Sequence, residues 1–298
     1  MSNIFLSSTC YANDVIAPGA QGSLLPGYGL ELSGGAWHSE GAVSSALTEW
    51  TRRRVPMLCH NYFPPPKDNF VFNLASGNER TAGRSLVLGE MALNICSAFK
   101  IPYYSCHTGY LADAKARPDG YFTFDPKTWR PYRKALNLFF ERFEELHQTA
   151  VKKGLRMAFE NMFENPETLV DGKRSSLNCS FEELSEIMGG IPPSAGLLLD
   201  LGHLGNAAAH FGFAVDEYID KLLNNYSSRI FELHISCNNG LKDEHLPPCR
   251  KSWQLKALGR FKNCPGCEGN GVNLVLEARK IPKEQLTETA GMLEEAWN

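Results

Sequence analysis

Nine side chains of three types could do metal chemistry in this chain: His60, His107, Glu160, Asp200, His203, His234, Asp243, His245 and Glu277. Imidazoles and carboxylates are costly to bury unpaired, and they are natural ligands for a divalent cation. Their positions single them out. His60 closes the short apolar run "VPMLCH", His107 closes "IPYYSCH", Glu160 closes "LRMAFE", Asp200 closes "GLLLD" and Glu277 closes "VNLVLE", while His234 lies near the end of "IFELHIS". His203 follows Asp200 by three residues in "DLGH", a spacing that brings a second ligand back toward the strand end where a helix or tight turn begins. Asp243 and His245 stand two apart in "GLKDEHLPPC", which alone reads as a charged surface turn. In an extended segment both would face one way and Glu244 the other. Taken singly, each residue has an ordinary account: Asp200 as a helix cap, His60 as a core imidazole, Glu277 in an ion pair.

The runs that carry these residues belong to a set of eight, at 4–8, 29–33, 55–60, 101–107, 155–160, 196–200, 230–236 and 272–277. Runs this short and apolar on both faces suit parallel strands buried between helices and a barrel interior. Helical stretches separate most of them, at 39–54, 79–100, 131–154, 215–226 and 283–298, and Ser180 with Glu183 reads as a capping box opening another. The stretch 10–27 is Gly-rich with weak periodicity, so the first crossover should be short or irregular. The pattern predicts an α/β fold, a single (β/α)8 TIM barrel spanning 1–298, with a metal site at the C-terminal ends of the strands. An open doubly wound sheet would want a Gly-rich phosphate loop after its first strand, and none is present.

A formal net charge of -3 gives no long-range attraction to nucleic acid or anionic membrane. The N-terminus shows no signal-peptide pattern and no stretch reaches the ~18 apolar residues of a membrane span, so a cytoplasmic protein is expected. Nine cysteines, an odd number, several inside apolar runs, suit reduced core thiols rather than a disulfide framework. Cys264 and Cys267 in "CPGC", completed by Cys249 or Cys237, form the one alternative place for a separate structural zinc.

The ordered set resembles the endonuclease IV type of metal-dependent barrel within the xylose-isomerase-like superfamily, over nearly the whole chain. The superfamily's hallmarks stand here as "FEN" ending at Asn161, "DLGH" ending at His203, "ELHIS" around His234 and "LEA" around Glu277. Beyond these, "HNYFPPPKDNFVFNLAS" from His60 and "CHTGY" around His107 are similar to the endonuclease IV-like segments, which implies that all nine residues hold up to three zinc ions. The chain departs from the DNA-cleaving members where "SSTCYANDVIAPGAQG" replaces their Gly-rich loop after strand 1. It departs again in the triple proline at 64–66 and in the long loop "NMFENPETLVDGKRSSLN".

The resemblance implies a divalent metal, zinc first with manganese or iron as alternatives, and a small phosphorylated or sugar-like substrate rather than DNA. Three closely spaced ions would suit phosphoester hydrolysis by metal-activated hydroxide. Lys173 and Arg174 after strand 5, or Arg250 and Lys251 after strand 7, are the cations expected to clamp a phosphate. A single ion at Glu160, Asp200, His234 and Glu277 would instead suit a sugar or sugar phosphate isomerase or epimerase, with Glu160 and Glu277 as catalytic base and acid. An iron-dependent oxidative enzyme, an apurinic-site endonuclease and a non-catalytic binding barrel complete the alternatives.

Overall fold

The computed structural model describes residues 3–11, 14–17, 19–20, 24–117, 122–266, 269, 271–279 and 281–298. Among the described residues ten strands run in chain order: β1 (Ile4–Ser7), β2 (Gly29–Leu32), β3 (Met57–His60), β4 (Tyr103–His107), β5 (Ala114–Ala116), β6 (Phe122–Phe124), β7 (Arg156–Glu160), β8 (Gly196–Asp200), β9 (Ile230–Ile235) and β10 (Asn273–Leu276). Eight of them close a parallel barrel in the order β1-β2-β3-β4-β7-β8-β9-β10, with β10 back against β1. The antiparallel β5–β6 pair is an excursion between β4 and the next helix, and nothing in the apolar pattern anticipates it.

The helices are α1 (Glu40–Arg52), α2 (Glu79–Phe99), α3 (Tyr132–Lys152), α4 (Phe181–Gly190), α5 (Leu201–Phe211), α6 (Val215–Tyr226), α7 (Trp253–Leu258) and α8 (Lys283–Trp297). Between β1 and β2 the described residues include a 3-10 turn, Ser8–Cys10, and no α-helix, matching the irregular crossover expected there. Several helix starts are chemically marked: Ser39 caps α1 by accepting from Ala42 N, and Asn78 caps α2 by accepting from Arg80 N and Thr81 N. Ser180 likewise accepts from Glu183 N, but Glu183 returns its carboxylate to Cys179 N rather than to Ser180, so only half of the expected capping box forms.

Strand alternation sorts the barrel interior into layers. Low in the barrel, Phe5, Leu58, Tyr103, Ala158, Phe231 and Val275 form a closed apolar plug. Gly29 and Gly196 belong to the same level because a Cβ there would sit 2.2 Å from the Phe5 ring and 2.5 Å from the Phe231 ring. Two residues further along the strands, the inward positions turn polar: Glu31 on β2, His60 on β3, Ser105 on β4 and Glu160 on β7. The plug is the floor on which that polar layer stands. Outside, the apolar strand faces meet the helices, with Trp50, Phe139 and Phe143 buried in the seam.

Candidate metal centre

All nine residues singled out in the sequence converge at the C-terminal mouth in three neighbouring groups, the first two sharing Glu160, and a fourth group joins Glu31 to His60 and His234. Glu160, Asp200, His234 and Glu277 form the first, His60, His107 and Glu160 the second, and His203, Asp243 and His245 the third. Within each group the donor atoms lie within 4.8 Å of one another. Glu160 is the hinge of the set: its Oε2 lies 3.0 Å from His107 Nε2 and 3.4 Å from His60 Nε2, and its Oε1 lies 3.2 Å from His203 Nδ1. Yet neither oxygen of Glu160 has a hydrogen-bond partner, and the same holds for Asp200 Oδ2 and Asp243 Oδ1. Buried carboxylate oxygens without donors carry a desolvation cost of ~1–3 kcal/mol or more each, which coordination would remove. The donor set therefore fits a divalent cation, and its N/O chemistry without sulfur suits zinc, manganese or iron.

The imidazoles are aimed by what holds their other nitrogen. His60 Nδ1 meets Ser105 Oγ at 3.0 Å, His203 Nδ1 meets the Asn161 carbonyl at 2.9 Å and His245 Nδ1 meets the Glu277 carbonyl at 3.2 Å. A carbonyl accepts only, so in His203 and His245 the Nδ1 carries a proton in either protonation state, and Nε2 is the nitrogen a metal would take on losing its own. His245 Nε2 then lies 2.7 Å from Asp243 Oδ2, and His203 Nε2 3.8 Å from the same oxygen. The Asp243–His245 segment is not extended as the two-residue spacing suggested. His245 takes a left-handed backbone, φ 48°, which a non-glycine adopts at a cost and which recurs at functional sites. Glu244 points away, accepting from Asn239 N at 2.9 Å.

Asp200 does both things its position allowed. Its Oδ1 accepts from His203 N at 2.6 Å, capping α5, while Oδ2 faces His234 Nδ1 at 3.8 Å inside the first group. The cap also swings His203 back over the strand end. A second link joins the expected "NLAS" and "CHTGY" segments: Asn73 Oδ1 accepts from Ala75 N and Tyr110 N, both at 3.0 Å. Gly109, φ +117°, is required there, because a Cβ would lie 2.4 Å from that oxygen.

Burial and the mutual field shift the protonation states in a consistent direction. Burial drives His60 down to about 3, leaving a neutral imidazole, the form that binds metal. Burial opposes ionisation of Glu160, but His107, His203 and His60 hold its carboxyl well below the usual range. Asp243 is lowered in the same way by His245 and His203, against its own burial. Burial raises Asp200 to about 6. His203, His234 and His245 resist burial and are pushed well up by the acids that face them. Cation binding would displace those imidazole protons.

Two functional residues were not foreseen. Glu31 Oε1 and Glu232 Oε1 approach His234 Nε2 at 2.8 and 3.1 Å, and all three are fully buried. They hold His234 so that Nδ1 faces Glu277 Oε2 at 3.1 Å and the first group. Burial raises Glu31 to about 7, with His234 opposing. The signal was available, since a glutamate inside the otherwise apolar "GLELS" must find a partner in the barrel. Replacing Glu31 by Gln is expected to weaken metal affinity about ten- to a hundredfold in a competitive chelator titration. An affinity equal to the parent would remove this role.

The four loop cations expected to clamp a phosphate are not brought to the mouth. Lys173 lies over the Trp129 ring, Arg174 is held by Glu183 and the Ser176 carbonyl, Arg250 pairs with Glu295 of α8, and Lys251 is exposed. Each of the two guanidiniums is held by a carboxylate, and neither lines the mouth cavity. Around the ligands is instead a cavity of about 210 Å³ whose lining includes Tyr62, Tyr110, Arg117, Phe163, Arg279 and Glu277. Cys237, Cys249 and Cys264 are free thiols, Cys237 donating to Gln254 Oε1, and Cys267 lies outside the described residues. No helix of the described residues is long and apolar enough to cross a membrane.

The model of one family, the xylose isomerase-like TIM barrel, matches residues 39–258, most of the chain from α1 through α7. The chain belongs to that family. No curated protein sequence matches it. Among solved structures, this xylose isomerase-like barrel is similar to a D-tagatose 3-epimerase-like protein, with 21% identity, a TM-score of 0.70 and 98% of each chain covered. It is similar also to the TTHB071 protein from Thermus thermophilus, soaked with ZnCl2, at 17% identity, TM-score 0.62 and 99% of each chain. A third is the D-psicose 3-epimerase with D-tagatose from Clostridium cellulolyticum H10, at 9% identity and TM-score 0.61, covering 99% of this chain and 95% of that one. At these identities the likeness establishes a shared fold over the whole length of the xylose isomerase-like barrel.

Proposed function

We propose that the protein is a metal-dependent enzyme that epimerises or isomerises a small ketose-like substrate. The observation that carries this reading is the first ligand group, two glutamates, one aspartate and one histidine, of which Glu277 also lines the cavity of about 210 Å³ at the mouth. A bound divalent ion would polarise the substrate's carbonyl and so acidify the adjacent carbon. The rest falls to the chain. Glu277 lines the cavity and reaches the substrate directly, and Glu160 approaches from β7, with β8 and β9 between the two. Glu277 takes the proton from the carbinol carbon. Glu160, protonated by a facing imidazolium such as His203 at 3.2 Å, returns one from a different direction, which inverts the centre and leaves the imidazole to recover the proton held by Glu277. Phe163, packed on the His203 ring at 4.7 Å, helps keep water from the mouth. Support comes also from the two sugar 3-epimerase folds named above, which span this chain nearly end to end.

The test is a panel of pentuloses and hexuloses, each with protein loaded with Mn2+, Co2+ or Zn2+, followed by NMR of the sugar. Formation of the C3 epimer or the aldose supports the reading, and no change of any ketose with any metal contradicts it.

A second reading is favoured by one specific observation, the triads His60–His107–Glu160 and His203–Asp243–His245 that the other ligands singled out in the sequence form beside the first group. Filled together, the three groups would hold three ions and suit hydrolysis of a small phosphoester. Metal content per chain separates the two. One ion per chain fits the epimerase, whereas three, with phosphate release from a phosphomonoester, would replace it.

A further inference from the structure

Two neutral side chains that line the mouth cavity end without a partner. Tyr110 is 1% exposed and its hydroxyl makes no hydrogen bond, and Asn61 is 2% exposed with its Oδ1 unpaired. Both are held firmly by their backbones. Tyr110 N donates to Asn73 Oδ1 at 3.0 Å, its carbonyl accepts from Asn73 Nδ2 at 3.2 Å, and its ring packs on Phe122 and Phe124 of β6 at 5.7 and 5.3 Å. Asn61 takes a left-handed backbone, φ 41°, uncommon for a non-glycine. Its N–H donates to the Ser105 carbonyl and its own carbonyl accepts from the Tyr104 hydroxyl, both at 2.8 Å. A buried polar end that is fixed in place and left unsatisfied costs free energy, and a ligand in the cavity would complete it. Burial pushes the Tyr110 phenol well above its ordinary value, so it meets a ligand as a neutral O–H donor.

The rest of the wall narrows the chemistry of that ligand. Tyr62, Phe122 and Phe163 supply aromatic surface, against which a few placed polar groups set orientation. Among the described residues, the charged side chains of the lining other than the metal-binding candidates are already engaged. Glu167 pairs with Lys242 at 2.8 Å, Arg279 faces Asp243 at 3.9 Å, and Arg117 is not free either. A neutral donor and a neutral acceptor in one wall match hydroxyl groups, each of which can donate and accept. An ionised phosphate or carboxylate accepts only and would leave Asn61 Oδ1 unpaired. We propose that Tyr110 and Asn61 are specificity-determining residues that read the hydroxyls of an uncharged ketose beyond its reacting end, Tyr110 donating to one and Asn61 Oδ1 accepting from another. The proposal rests on the epimerase reading for the reaction itself, and it limits the substrate to ketoses long enough to carry hydroxyls beyond C3.

The experiment has two arms, so that the subsite and the reaction fail separately. In the first, D-glucitol, a polyol with no carbonyl to react, is titrated calorimetrically into metal-loaded parent, Tyr110→Phe and Asn61→Gly, since glycine adopts the left-handed backbone without strain. Each variant is expected to bind it about threefold or more weakly, the size of one neutral hydrogen bond. The Tm of ligand-free Tyr110→Phe should stay level or rise, because the hydroxyl it loses has no partner inside the protein. Binding by either variant within threefold of the parent overturns the proposal, as does a parent that does not bind D-glucitol. So does a Tyr110→Phe Tm lowered by about 2 °C or more, the mark of a lost internal hydrogen bond. In the second arm, kcat/KM is compared for the best ketose of the panel above, its terminal phosphate ester and D-erythrulose, which is too short to carry the distal hydroxyls. A site built to hydrogen-bond a hydroxyl rejects the analogue that lacks it, so the uncharged ketose should exceed both by about tenfold or more. Tyr110→Phe should shrink its advantage over D-erythrulose about threefold or more, through KM. A phosphate ester or D-erythrulose within tenfold of the ketose overturns the subsite while leaving the epimerase intact. If no ketose of the panel is turned over, the epimerase reading fails, and the D-glucitol titration alone decides the subsite.

Discussion

Glu277→Gln is expected to lower turnover by about a thousandfold or more, within the ~10²–10⁴ range of a lost general base compounded by a weakened ligand. The side chain has two jobs. It accepts from His234 Nδ1 at 3.1 Å and stands 3.3 Å from His245 Nδ1, tying the first ligand group to the third, and it is the one glutamate of the first group that lines the cavity. Gln keeps the volume and one acceptor oxygen, so the fold should persist, but an amide cannot take a proton at neutral pH. Glu160→Gln should lose at least as much turnover, for a different reason. Three imidazoles converge on its oxygens, and those neighbours keep it ionised against its burial. Metal content measured on the same samples separates the cases: Glu277→Gln should retain most of its metal and Glu160→Gln should lose it. A Glu277→Gln protein with parental turnover would remove the residue from the chemistry.

Stripping the metal is the second large effect. Four carboxylates, Glu160, Asp200, Asp243 and Glu277, are buried in one mouth, and several of their oxygens have no donor. Imidazolium protons compensate part of that charge without a cation, since the facing acids push His203, His234 and His245 up. The native state should therefore survive chelation and be less stable. A ligand present at a hundred times its Kd stabilises by ~2.7 kcal/mol, which for a domain of this size corresponds to roughly 4 °C in Tm. Calorimetry before chelation, after it and after metal is restored should show that drop and its recovery. An unchanged Tm would mean that the cluster binds no metal in solution.

Much of the centre was legible because strand ends in a parallel barrel obey a simple rule. A short apolar run that stops on His, Asp or Glu places that residue at the mouth. His60, His107, Glu160 and Asp200 were found that way, and the structure puts them there. Glu31 and Glu232 escaped the rule because they lie inside their apolar runs rather than at the ends, and their partner comes from across the barrel rather than from nearby sequence. Arg117 was hidden by an excursion that the barrel pattern does not anticipate. The loop cations failed for a general reason: a long side chain on a surface loop goes where tertiary contacts hold it. Arg174 is fixed by Glu183 and Arg250 by Glu295, and neither guanidinium lines the mouth cavity. The left-handed His245 was equally invisible, since two-residue spacing alone implies an extended segment.

The most direct test of the central claim is solvent exchange at the carbon beside the carbonyl. Metal-loaded protein is incubated with a ketose in D2O, and the sugar is read by proton NMR. Proton transfer through Glu160 and Glu277 predicts deuterium at C3 or C1, together with the epimer or aldose, and loss of both signals in Glu277→Gln. Turnover of a phosphoester under the same conditions, with no deuterium entering any sugar, would contradict it.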